Sequence, residues 1–194
     1  MRGKYYLSDS LTIYSLIRLV LLFITVTVIS LNLQGQDIFE QNWQTEDDFK
    51  GAENNVKQSI VWLEENPMAT VSNDTKAISE YILNWLTNVS YLSVTFDEIF
   101  LDGLTTKKYK FGEKFRVTYL FGKSYYVITN PDAGADDEAA ASARGIEGMV
   151  KVYQELLKID PSVKHKILER YSRLVRQEKI EAYAKSQLTK SKEL

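Results

Sequence analysis

Three prolines divide this chain, and each falls between runs of apolar residues with helical spacing. Pro67, Pro131 and Pro161 follow Asn66, Asn130 and Asp160. A residue before proline is pushed out of the helical region of backbone space, so these pairs punctuate helices. Residues 52–65 put Val56, Ile60 and Leu63 on one face. From residue 74 to 89, Ile78, Tyr81, Ile82, Trp85, Leu86 and Val89 follow the i, i+3, i+4, i+7 pattern of an amphipathic helix. Ser72, Asn73 and Asp74 offer N-caps ahead of it. The clearest helix is 135–158, with Ala139, Ala143, Ile146, Met149, Val150, Tyr153, Leu156 and Leu157 on its stripe. Gly145 and Gly148 lie inside that helix at a cost in propensity, which predicts a close neighbouring helix. Asp160 as N-cap and Pro161 at the first helical position open a last helix. Val163, Ile167, Tyr171, Leu174 and Val175 form its core stripe.

The middle of the chain is less clear-cut. Thr95 and Glu98 have the spacing of a capping box, opening a short segment with Phe96, Ile99, Phe100 and Leu104. Across 109–129, Phe111, Phe115, Tyr119 and Tyr126 are helically spaced, with Gly122 on the same face. The same stretch is rich in β-branched and aromatic residues, so a hairpin at Gly122-Lys123 competes. Helix is the stronger reading, because two isolated strands make a poor sheet. Asn130 to Gly134 is a turn. The expectation is an all-α fold of about six helices in antiparallel pairs, a helical bundle or a short α-solenoid, preceded by an N-terminal hydrophobic signal helix. The expected boundaries are 1–35 for the leader, 36–188 for one helical domain and 189–194 for a frayed polar tail.

The leader reading rests on residues 19–33, LVLLFITVTVISLNL, which contain no charge. Arg2, Lys4 and Arg18 precede the run and QGQD follows it. A basic start, an apolar run and a small residue near a cut describe a signal peptide. Gly35 before Gln36 is the preferred cut, with Ser30 or Asn32 as alternatives. The rival is an uncleaved anchor over 11–33, since a span needs about 20 apolar residues and Arg18 could snorkel. N-terminal sequencing of the exported protein separates them: a retained Met1 means an anchor. The expected location is therefore periplasmic or extracellular, with membrane contact only through an uncleaved 11–33 segment.

Composition removes several chemistries. There are no cysteines, which excludes disulfides, a thiolate nucleophile and Cys-ligated metals. Beyond residue 35 the chain has 21 basic and 25 acidic side chains, which gives no reason to expect nucleic acid as a partner. Residues 37–74 are acidic and 158–192 are basic; solvated helix faces are the stronger reading of both, and attraction of the two ends in cis or between molecules is the alternative. His165 stands alone, reads as an exposed polar residue, and no G-x-S-x-G elbow accompanies it. One histidine makes no zinc site, and neither a calcium loop nor a phosphate-binding glycine loop occurs. No catalytic residue, metal ligand or cofactor is therefore expected.

Three stretches carry a resemblance: Trp62-Leu-Glu-Glu-Asn-Pro67, Leu83-Asn-Trp-Leu-Thr87, and the run from Gly145 to Pro161. With the leader, they resemble uncharacterised secreted helical proteins of Bacteroidetes-type bacteria. The third stretch also looks like half of a tetratricopeptide repeat. The resemblance implies an exported helical fold and supplies no activity and no catalytic residues.

Two functional readings follow. The first is a non-enzymatic exported protein that binds another protein or an envelope component. Its candidate surface is Lys108, Tyr109, Arg116, Tyr125 and Tyr126, where cations and aromatics interleave. The second is a carboxylate-dependent hydrolase acting on an envelope glycan or peptide, with Glu64 and Asp137 as one conceivable acid–base pair. Carboxylates from different helices meeting in one pocket would favour the second.

Overall fold

The computed structural model describes residues 42–67, 73–132 and 137–193, with the side chains of Asn73 and Asp74 outside that description. The expected leader, the caps at 72–74 and the end of the turn at Gly134 lie outside the described residues. Among the described residues there are six α-helices and no strand. They are α1 Glu46–Glu65, α2 Asn73–Asn88, α3 Gly112–Thr129, α4 Glu138–Leu157, α5 Lys166–Arg176 and α6 Ile180–Lys192. Single 3₁₀ turns occupy Glu98–Phe100 and Pro161–Val163. The fold is an all-α helical bundle. None of the described helices is long and apolar enough to cross a membrane.

Each α1 boundary has a local cause. The Thr45 side chain accepts from the Asp48 backbone N–H while Asp48 accepts from the Thr45 N–H, a reciprocal capping box. Asn66, before Pro67, ends the helix. The sequence places the capping box instead at Thr95–Glu98, and that expectation fails. Asp97, not Thr95, precedes the 3₁₀ turn, with no side-chain cap, and the Thr95 hydroxyl donates to Glu138. The turn still buries Phe100, Leu101 and Leu104, but Ile99 is exposed rather than on the core stripe. Leu157 of α4 is likewise exposed.

The region 112–129 is one continuous helix, so the hairpin alternative is discarded. The last expected helix is in fact a 3₁₀ turn, α5 and α6. His165 caps α5, its Nδ1 accepting from the Ile167 N–H at 3.3 Å, and its ring packs 4.7 Å from that of Tyr109. It is a half-buried structural residue and not the free exposed histidine expected. Burial, helped by Lys166, holds its pKa below the usual imidazole value. The α5–α6 break is a Schellman motif: Lys179 N–H donates to Leu174 and Glu178 N–H to Val175. Glu178 adopts φ +56°, a conformation normally given to glycine. Helix α6 runs through Lys192, four residues past the expected domain end at 188.

Helix α4 is the centre of the bundle and touches α1, α3, α5 and α6. The α3–α4 pair is antiparallel: Tyr119 and Gly122 meet Gly145, and Lys123 meets Glu138. Around it lie Phe100, Phe115, Tyr119, Ile146, Met149, Tyr171 and Ala184. A second group joins α1 to α2, where Trp85 is wholly buried and donates Nε1–H to the Phe49 carbonyl at 3.1 Å.

The glycines of α4 are there for space. A Cβ on Gly145 would lie 2.7 Å from the Tyr119 ring and 2.8 Å from the Tyr119 carbonyl. A Cβ on Gly51 of α1 would meet nothing within 4 Å. Gly145→Ala therefore destabilises by about 1–3 kcal/mol through overpacking. Gly51→Ala stabilises by about 0.5–1 kcal/mol through propensity alone. Urea midpoints of the two variants should move in opposite directions.

Candidate functional site: two buried ion clusters and two grooves

The helix packing encloses two charge clusters. In the first, the α1 residue Glu64, 2% exposed, accepts both arms of the Arg144 guanidinium at 2.7 and 3.0 Å. Lys151 adds a third contact at 3.1 Å from a half-exposed position. The Arg144 guanidinium also lies over the Tyr125 ring at 4.6 Å. Gly148 makes room for the carboxylate, since its Cβ would sit 2.6 Å from Glu64 Oε1.

In the second cluster, Lys123 of α3 is 1% exposed. Its ammonium donates to Thr95 Oγ1 at 2.9 Å, to Asp97 Oδ2 and to Glu138 Oε1. The same Asp97 oxygen accepts from Tyr119 at 2.9 Å and from Ser142 at 3.0 Å. Thr95 closes the ring by donating to Glu138 at 2.7 Å. Burial by itself raises the Asp97 carboxyl; Lys123, then Tyr119, overcome that push and hold it below its usual value. Burial drives the Tyr119 phenol far upward, and the Asp97 charge adds to the effect.

Two carboxylates from different segments thus converge, at Asp97 and Glu138, but on a buried ammonium and not around a cavity. The Glu64–Asp137 pair does not come together as an acid–base unit. Glu64 is occupied by Arg144 and Lys151. Asp137 caps α4 through the Ala140 N–H and accepts from the Tyr126 hydroxyl at 3.0 Å.

The five candidate surface residues are spread over separate structural settings. Lys108 is exposed in a turn. Tyr109 donates to the Val163 carbonyl at 2.6 Å and stacks on Phe115. Arg116 lies over the Phe96 ring at 5.0 Å. Tyr125 sits under Arg144, and Tyr126 is tied to Asp137. Each aromatic has a local packing partner.

Open grooves lie elsewhere among the described residues, and two of them bear on binding. The first, of about 520 Å³, has walls from Leu63 of α1, Leu83 of α2, Val117 and Phe121 of α3, Leu156 of α4 and the nearby Phe111. Lys114 lies on it, its ammonium donating to the Pro67 carbonyl at 2.8 Å. Burial alone lowers the pKa of Lys114 to about 8. Lys110, at the same groove, is paired with Asp160 at 3.0 Å. A volume of this size with mainly apolar walls and a few polar groups is typical of ligand sites. The second groove, also about 520 Å³, runs between α4 and α5 and is more polar.

Sequence reasoning missed Lys123 as a buried residue and Lys114 as a groove residue. Lys123 lies four residues after Tyr119, on the buried side of α3, and that spacing is the available signal. Among the described residues, no group of three or more His, Asp or Glu is placed to hold a metal. No protein-family model matches this chain, and neither the curated proteins nor the solved structures compared with it gave a match.

Proposed function

We propose that this chain is an exported, non-enzymatic helical protein that binds another protein or an envelope component through the apolar groove lined by α1, α2, α3 and α4. The observation that supports this most is the groove, which pairs an apolar wall with a half-buried lysine whose ammonium donates to a neutral carbonyl. A cation with apolar neighbours suits an amphipathic partner carrying a negative group. Export rests on the uncharged run 19–33 and the basic residues ahead of it.

The hydrolase reading draws on the convergence of Asp97 and Glu138. It is the weaker of the two, because Lys123 and three hydroxyls already occupy the space between and around those carboxylates.

A fluorescent anionic amphiphile, anilinonaphthalene sulfonate, tests the groove. It should bind the native chain saturably at pH 7, and Val117→Asp should abolish that binding without unfolding the protein. The sign with pH is fixed by Lys114. Its charged form exists below a folded pKa of about 8, so affinity falls as pH rises through 8. Lys114→Met should bind more weakly and lose this pH step. For folding, the sign is opposite: the unfolded lysine titrates near 10.5, so this group adds stability as pH rises from about 8 towards 10.5. A probe signal unchanged by both substitutions would overturn the assignment.

A further inference from the structure

The apolar groove lined by α1, α2, α3 and α4 does not end at Leu83. That side chain, 37% exposed, is also a wall of a smaller hollow of about 220 Å³. The other walls of the hollow are Leu86, Val89, Leu92, Val94 and Leu120, with Thr87 as the one polar side chain. The two spaces meet at Leu83 and together follow α2 from Ser79 to Thr87, about 12 Å at ~1.5 Å per residue. Polarity is graded along α3 in the same way. Lys110, Glu113 and Lys114 line the groove at its start, Val117 and Phe121 come next, and Leu120 belongs to the hollow.

The charges at the groove leave one cation over. Lys110 pairs with Asp160 at 3.0 Å, and Glu113 lies 3.9 Å from Arg116. Lys114 makes no ion pair among the described residues. An ammonium has three N–H groups, and the Pro67 carbonyl accepts one of them. The hydroxyls of Thr118 and Thr87 donate to backbone carbonyls of their own helices, at 2.9 and 2.7 Å.

We propose, building on this groove as the binding site, that the groove and the hollow beyond Leu83 hold one fatty acid, with its carboxylate on Lys114 and its chain laid along Val117, Phe121 and Leu83. One unpaired cation matches one negative charge, whereas a phosphate monoester would leave charge unmatched. An acyl chain carries no polar atom beyond its head, so apolar walls suffice for it. An extended peptide would bring backbone N–H and C=O groups against walls that have nothing to pair them.

Sodium dodecanoate, titrated calorimetrically into the full chain below its micelle concentration, should bind at one site. Affinity should fall about threefold to fourfold for each methylene removed from the chain. Lys114→Met should weaken dodecanoate about tenfold and leave dodecanol, the same chain without the charge, no weaker. Thr87→Asp, at an exposed position lining the hollow, should weaken dodecanoate far more than octanoate. Anilinonaphthalene sulfonate and an acidic amphipathic peptide separate the occupant from the groove. If the dye binds saturably and Val117→Asp abolishes it, yet dodecanoate does not compete, the groove stands and the fatty acid is overturned. A peptide that competes where dodecanoate fails makes the occupant a protein. If neither dye nor dodecanoate binds, the groove falls as a binding site and the fatty acid with it. Dodecanoate binding that Lys114→Met leaves unchanged, or that dodecyltrimethylammonium equals, would also overturn the proposal.

Discussion

Glu64→Leu is expected to lower the stability of the bundle by about 3–5 kcal/mol, the cost of stranding one member of a buried ion pair. The mechanism lies with Arg144 and not with the lost carboxylate. Arg144 is 13% exposed, lies over Tyr125 and gives both guanidinium arms to Glu64. Without Glu64 that charge stays beneath the surface with no counter-ion. For a chain of this size a loss of that order lowers the melting temperature by about 10 °C. Replacing both partners, as Glu64→Leu with Arg144→Met, should recover much of the loss, because well-packed apolar groups often match a buried pair. Lys151→Met should cost under about 1 kcal/mol, since that ammonium is half exposed and screened. Denaturant curves of the unaltered protein, Glu64→Leu, Arg144→Met and the double variant form a double-mutant cycle. A double variant less stable than the sum of its singles would contradict this account.

Glu64 also shows how much of the structure the sequence carries. It follows Ile60 by four residues, so it lies on the same stripe as Val56 and Ile60, both wholly buried. Lys123 stands in the same relation to Tyr119. Helical spacing locates both charges on buried faces, and burial of a charge demands a partner. Spacing does not say who the partner is. Arg144 comes from eighty residues away, and Asp97 from an irregular segment with no period to read. Stripes, turns and proline boundaries are local, which is why the helical class and four of the six helices are legible. The α5–α6 break is not legible, because its left-handed position holds Glu178 where glycine would have marked it. The Thr95–Glu98 motif misleads for the opposite reason. Its spacing fits a cap, but Thr95 gains more from Lys123 and Glu138 than a one-turn helix offers. The apolar groove is assembled from four helices, and no single stretch announces it.

The second cluster should give the larger pH signature. Lys123→Met removes the ammonium and leaves Asp97 and Glu138 facing each other, at a cost of about 3–5 kcal/mol at pH 7. In the unaltered protein the Asp97 carboxyl sits below its usual 3.8, so its contribution is present above that value. It is lost as pH falls through the lowered folded value. The substitution reverses the sign. Two carboxylates in one site cannot both ionise freely, so one is pushed up above its unfolded value. A raised carboxyl stabilises below the unfolded pKa and ceases to do so as pH rises through the folded one. The difference in stability between the two proteins should therefore be large at pH 7 and shrink towards pH 4. Tyr119 and Ser142 reinforce this, because their hydroxyls still hold Asp97 as the anion and so keep its charge in the site. Urea denaturation at pH 4, 5.5 and 7 measures the convergence. If the deficit is the same at all three, Lys123 serves packing alone, and the carboxylates do not feel one another.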